Sequence, residues 1–139
     1  MCASCPILPA AAILNALPPD RWAVVTSAGR TLARARLAAV GLPLPRVLVG
    51  ADDVVRGKPS PEGYLQAARL FGVPPERCIV LEDTPAGAQA GRAAGAKVIG
   101  LRTTFPSVDG CDYLVRDLRD IRVSGSGHGN TVRLIISES

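Results

Sequence analysis

The sequence predicts an α/β fold: a mostly parallel sheet with helices packed on its faces. Three observations predict it. Short uninterrupted apolar runs, the pattern of strands buried on both faces, recur along the chain. Between them lie segments whose apolar residues repeat at helical spacing, so strand and helix alternate. The 139 residues, 47% of them hydrophobic, supply one core and leave no room for a second sizeable one.

The elements follow in order. Ile7 to Leu17 reads as a short helix bracketed or interrupted by Pro6, Pro9, Pro18 and Pro19. Trp22-Ala23-Val24-Val25-Thr26 is the first strand. Segment 31–40 is a helix with Ala33, Leu37 and Val40 on one face, ended by Gly41. Val47-Leu48-Val49 is a short strand. Ser60-Pro61 opens the next helix, a capping residue followed by a proline at the first helical position, and Tyr64, Ala67, Ala68 and Phe71 form its apolar face. Arg77 to Glu82 and Lys97 to Leu101 are strands on either side of a small-residue helix over 86–94, which Gly95 ends. After Val123 the composition turns to Ser124-Gly125-Ser126-Gly127-His128-Gly129, a flexible linker. Residues 1–123 are therefore expected to form the core domain and 124–139 a linker and tail, with Val132 to Ile136 strand-like but outside the alternation.

Composition excludes several classes of function. The formal net charge is +4, but the basic residues are scattered arginines, and 4% aromatics offer little to stack on bases, so no nucleic-acid partner is expected. No apolar run is long enough to span a bilayer, and Met1 to Pro6 lacks the features of a secretory signal, which makes the cytoplasm the expected compartment. Cys2, Cys5, Cys78 and Cys111 do not form a disulfide framework. Cys2 and Cys5 make a C-x-x-C, yet no second Cys/His pair follows and His128 is the only histidine, so an incidental pair is preferred over a redox or zinc site. Neither G-x-G-x-x-G nor G-x-x-x-x-G-K-[ST] occurs, which argues against a nucleotide-binding domain.

Ligands of open parallel sheets bind beyond the carboxyl ends of the strands, and three such positions hold suitable chemistry. Thr26-Ser27-Ala28-Gly29 pairs two hydroxyls with a turn into a helix, where backbone N–H groups can hold a phosphate; the same residues are also ordinary helix caps. Gly57-Lys58-Pro59-Ser60-Pro61 sets a lysine on a proline-stiffened loop, suited to neutralising a phosphoryl group, although a lone lysine is more often solvated surface. Glu82-Asp83 puts adjacent carboxylates at the end of an apolar strand. Either Mg²⁺ relieves their repulsion, or one of them caps the helix that opens at Pro85.

Together these segments carry a resemblance. Val24-Val25-Thr26-Ser27, then Gly57-Lys58-Pro59-Ser60-Pro61-Glu62-Gly63-Tyr64, then Leu81-Glu82-Asp83-Thr84-Pro85-Ala86-Gly87 resemble the second, third and fourth motifs of the haloacid dehalogenase superfamily. The subgroup is the one (IA-like) containing small sugar-phosphate and phosphoglycolate phosphatases and β-phosphoglucomutase. The likeness runs from about Leu8 to Arg122, and Gly87, Gly91, Ala94 and Gly95 match the small-residue helix behind the acidic motif. It implies a Rossmann-like three-layer sandwich and Mg²⁺-dependent hydrolysis of small phosphomonoesters, sugar phosphates in particular, through an aspartyl-phosphate. By the same resemblance Thr26 and the Ser27 amide hold phosphoryl oxygens, Lys58 neutralises them and holds the nucleophile, and Glu82 and Asp83 serve Mg²⁺.

The sequence departs from the family at one point. The first motif, an apolar strand running into Asp-x-Asp-Gly that supplies the nucleophile, occurs nowhere in the 139 residues, and neither does the cap domain that usually follows it. The chain therefore reads as a fragment beginning after the cap, not expected to turn over alone, with a non-catalytic phosphate- or metal-binding remnant as the alternative. In the family the first-motif strand lies between the strands ending at Thr26 and Glu82. Those strands are expected to pair directly or to leave open edges able to associate with another chain. A further possibility is that Val132 to Ile136 folds back into the vacancy.

Overall fold

The computed structural model describes residues 7–125 and 132–136. Its elements are α1 (Ile7–Ala16), β1 (Ala23–Val25), α2 (Arg30–Ala39), β2 (Val47–Val49), α3 (Glu62–Phe71), β3 (Ile79–Glu82), α4 (Pro85–Ala94), β4 (Lys97–Leu101), β5 (Tyr113–Val115), β6 (Ile121–Gly125) and β7 (Val132–Ile136). The first strand is shorter than its apolar run at both ends. The third loses Arg77 and Cys78, because Pro75–Arg77 forms a 3-10 turn that Cys78 closes through its N–H to the Pro75 carbonyl. Gly95 ends α4 as the sequence indicates, taking a left-handed conformation (φ 98°) as its C-cap, which a side chain would disfavour. Gly41 (φ 72°) directly follows Val40, the C-cap of α2, and Gly72 (φ 67°), not expected from the sequence, caps α3 in the same way.

The strands form an α/β fold with parallel pairing, but not one continuous sheet. β1 pairs with β2 in parallel, Val25 opposite Val49. β3, β4 and β5 form a second parallel sheet, with Glu82 opposite Gly100 and Leu101 opposite Val115. β1 and β3 share no ladder, so of the two outcomes expected for these strands the structure shows open edges rather than direct pairing. The fold-back of 132–136 does not occur: β7 pairs antiparallel with β6, from Ile121 opposite Ile136 to Gly125 opposite Val132. β6 thus continues two residues past Val123. Residues 126–131, which include His128, and the Cys2–Cys5 pair lie outside the described residues.

Alternate residues of a strand face opposite sides of its sheet, and the chain places a separate apolar core on each side. Leu81, Ile99 and Leu101 join Ala10 and Ile13 of α1, Leu37 of α2, and Val24, Val115, Leu118 and Ile121. Val80 and Val98 face the other way, onto Ala88, Ala96, Val108 and Tyr64. Val24 of one sheet and Leu81 of the other pack on the same cluster, so burial of apolar surface holds the two sheets together where backbone pairing does not. α4 lies close on its sheet because Gly91 lacks a β-carbon, which would meet Val80 and Val98 at 3.0 Å. No helix of the described residues is long and apolar enough to cross a membrane.

Candidate functional site

The carboxyl ends of β1 and β3 come together around Lys58. This lysine sits on the loop between β2 and α3, next to a cis Lys58–Pro59 peptide. Its ammonium donates to the Val25 carbonyl at the end of β1, at 3.1 Å, and to the Glu82 carboxylate at the end of β3. Tyr64, one turn into α3, donates its hydroxyl to the same Glu82 oxygen, and its ring centroid lies 5.2 Å from the ammonium. Burial, and then the Glu82 charge, raise the phenol well above its ordinary value, so Tyr64 stays protonated and remains a donor.

Glu82 is only 6% exposed, and a buried carboxylate needs a countercharge and hydrogen bonds to offset its lost hydration. Lys58 and Tyr64 supply both. The carboxylate also lies against the first turn of α4, where the helix dipole favours negative charge. Gly87 makes that approach possible, because a β-carbon there would collide with Glu82.

The other picks are placed as follows. Thr26, Ser27 and Lys58 line one cavity of about 110 Å³, together with Arg56, Ser60 and Tyr64. The Thr26 hydroxyl accepts from the Ala28 N–H at 3.1 Å, shaping the turn, and keeps its own proton to donate. Ser27 is exposed. Asp83, one residue beyond β3, parts from Glu82 and accepts from the Thr104 hydroxyl at 2.6 Å. Neither carboxylate caps α4: Thr84 does, accepting from the Gly87 N–H at 3.1 Å. Glu82, expected to serve a metal beside Asp83, is engaged through one oxygen by Lys58 and Tyr64. Arg30, at the start of α2, pairs through its guanidinium with Asp52 and Asp53.

Other residues shape the site without a local sequence signal. Asp52 accepts from the Arg30 N–H at 3.0 Å and so caps α2 from a different loop, Gly29 having no side chain to do it. Gly50 permits this approach: a β-carbon there would come within 2.9 Å of the Ala28 carbonyl and the Arg30 N–H. Glu62 accepts from the Val55 and Arg56 amides at 2.8 and 2.9 Å, tying α3 to the loop that carries Lys58. These amides hold its carboxyl below the ordinary value.

Comparison with known proteins gives the family of the chain. A family model described as haloacid dehalogenase-like hydrolase matches residues 4–95. The chain belongs to the haloacid dehalogenase-like hydrolases. It is 42% identical to glycerol-1-phosphate phosphohydrolase 2 of Saccharomyces cerevisiae, over 81% of this chain and 49% of that protein. It is also 42% identical to hexitol phosphatase A of Escherichia coli, over 80% of this chain and 52% of that protein. The solved structure of CbbY from Rhodobacter sphaeroides in complex with phosphate superposes with a TM-score of 0.64 at 33% identity, covering 70% of this chain and 47% of that one. The chain thus spans about half the length of each of these three relatives. In this haloacid dehalogenase-like domain the expected Rossmann-like parallel α/β architecture is present, and the sequence resemblance to the sugar-phosphatase and β-phosphoglucomutase subgroup holds.

Two predictions follow from the contacts around Lys58. Lys58→Met strands the Glu82 charge and is expected to lower unfolding stability by about 3 kcal/mol. Adding Glu82→Gln recovers part of that loss, which urea titration of the single and double variants measures as a coupling energy. For Glu62 the folded-state carboxyl titrates below its ordinary 4.5, so its stabilisation is complete above that value and is lost as pH falls through the lowered one. Wild type is expected to exceed Glu62→Gln in urea midpoint at about pH 6, with the difference narrowing as the pH is taken down below 4.5.

Proposed function

We propose that this chain is the phosphate-binding part of a Mg²⁺-dependent phosphatase for small phosphomonoesters, sugar phosphates above all. The observation that carries the reading is the Lys58 ammonium, held by the Val25 carbonyl and Glu82 at the wall of a cavity shared with Thr26 and Ser27. A fixed cation beside a hydroxyl and backbone amides is what a phosphoryl group needs, since catalysis of its transfer is mostly positioning and charge stabilisation. Thr26 and the Ser27 amide bind phosphoryl oxygens, Lys58 neutralises them, and Glu82 sets the position of Lys58. The glycerol-1-phosphate and hexitol named for the two relatives, small polyols close in chemistry to sugars, support the substrate class.

Mg²⁺ takes oxygen ligands and is commonly held by one or two carboxylates together with substrate phosphate. The described residues contain no cluster of three or more His, Cys, Asp or Glu side chains. Asp83 at the rim fits this as a single protein ligand, with phosphate oxygens and waters completing the shell. When bound, the ion supplies charge stabilisation at the transferring phosphoryl group.

No Asp-x-Asp pair occurs in the 139 residues, so the proposed chain binds phosphate without cleaving esters. Isothermal titration is expected to show inorganic phosphate binding that Lys58→Met abolishes, while p-nitrophenyl phosphate with Mg²⁺ releases no product. Turnover by the purified chain that is lost in Lys58→Met would overturn the inactivity, and phosphate affinity unchanged in that variant would overturn the site.

A second, non-catalytic role rests on the facing edges of β1 and β3, which have no ladder to each other. Unpaired edges offer N–H and C=O groups to another chain. Sedimentation velocity is expected to show association that grows with protein concentration; a monomer at all concentrations would remove this reading.

A further inference from the structure

The turn after β4 reaches the same rim as the end of β3, through residues outside the three motifs. Glu82 lies opposite Gly100 in the ladder, so the two parallel strands end almost level. The chain leaving β4 is held by the Arg102 N–H on the Val115 carbonyl at 3.0 Å. Two residues later the Thr104 hydroxyl donates to Asp83 Oδ2 at 2.6 Å, within the short range of hydrogen bonds to an ionised oxygen. The neighbouring Thr103 hydroxyl is buried without a hydrogen-bond partner, which leaves a polar group in this turn that the protein itself does not satisfy.

We propose that Thr104 is a positioning residue that orients Asp83 as a divalent-cation ligand, and that the turn 102–104 is part of the site. This rests on the reading of Asp83 as the cation ligand. A carboxylate on a partly exposed rim turns broadly about its last torsion, and ordering it on binding costs affinity. The Thr104 hydroxyl fixes the carboxylate before the ion arrives. Carboxylates that bind metals are characteristically held by such outer hydrogen bonds, whose loss weakens metal binding roughly 10- to 100-fold.

The test is Mn²⁺ titration of the full chain in the presence of inorganic phosphate, followed by electron paramagnetic resonance, with a protein-free phosphate blank and Thr104→Val, Thr104→Ser and Asp83→Asn as variants. Thr104→Val is expected to raise the Mn²⁺ Kd roughly tenfold or more. Thr104→Ser, which keeps the hydroxyl, is expected to restore wild-type affinity and the wild-type bound-ion spectrum. Asp83→Asn should lose the site. If Thr104→Val binds like wild type while Asp83→Asn does not bind, the positioning role is wrong and the cation reading survives. If wild type fails to bind Mn²⁺, or Asp83→Asn binds as well as wild type, the cation reading falls and the positioning role with it.

Discussion

The structure depends on one ammonium group. β1 and β3 carry the two halves of the site, and they meet without a shared ladder. Lys58 spans them, taking the Val25 carbonyl from one and the Glu82 carboxylate from the other. Apolar packing presses the halves together, but packing is non-directional and does not set how the strand ends face each other. The lysine contacts do, because hydrogen bonds to charged groups are short and oriented. The group proposed to meet a phosphoryl oxygen therefore also links the ends of the two strands that apolar packing brings together.

The separation of Glu82 and Asp83 follows from the same contact. Two adjacent carboxylates repel unless each has its own partner. Strand alternation sends one toward α4 and the other toward the turn after β4. Glu82 becomes the buried countercharge of Lys58, and Asp83 remains at the rim with Thr104. A pair that looks equivalent in sequence thus divides into an inner and an outer acid.

Much of this was legible in the sequence, for physical reasons. Strands β1 to β4 announce themselves by apolar runs, α2 to α4 by spacing, and α2 and α4 also by the glycines that follow them, because these are properties of neighbouring residues. Thr26, Ser27 and Lys58 were found by their position past strand ends, and they do share a cavity. β5 was missed: its three residues, with Tyr113 and Leu114 exposed, make an edge strand with little apolar signature. Tyr64 reads as one more apolar position on α3, since nothing local reveals that its hydroxyl meets an acid 18 residues on. The Thr104–Asp83 and Asp52–Arg30 contacts span 21 and 22 residues and have no local signature either. The hairpin of β6 and β7 escaped because a glycine-rich stretch between two short apolar runs looks like a tail until the strands pair.

Gly87 carries a consequence of its own. The missing side chain in the first turn of α4 is what gives the Glu82 carboxylate room beside the helix. Residues 82 and 87 therefore behave as a single steric unit. A larger residue in the helix is compatible only with a shorter acid on the strand, and a shorter acid would pull back from the lysine. Either position can change only by re-fitting both, which couples the volume of a helix turn to the placement of the Lys58 ammonium.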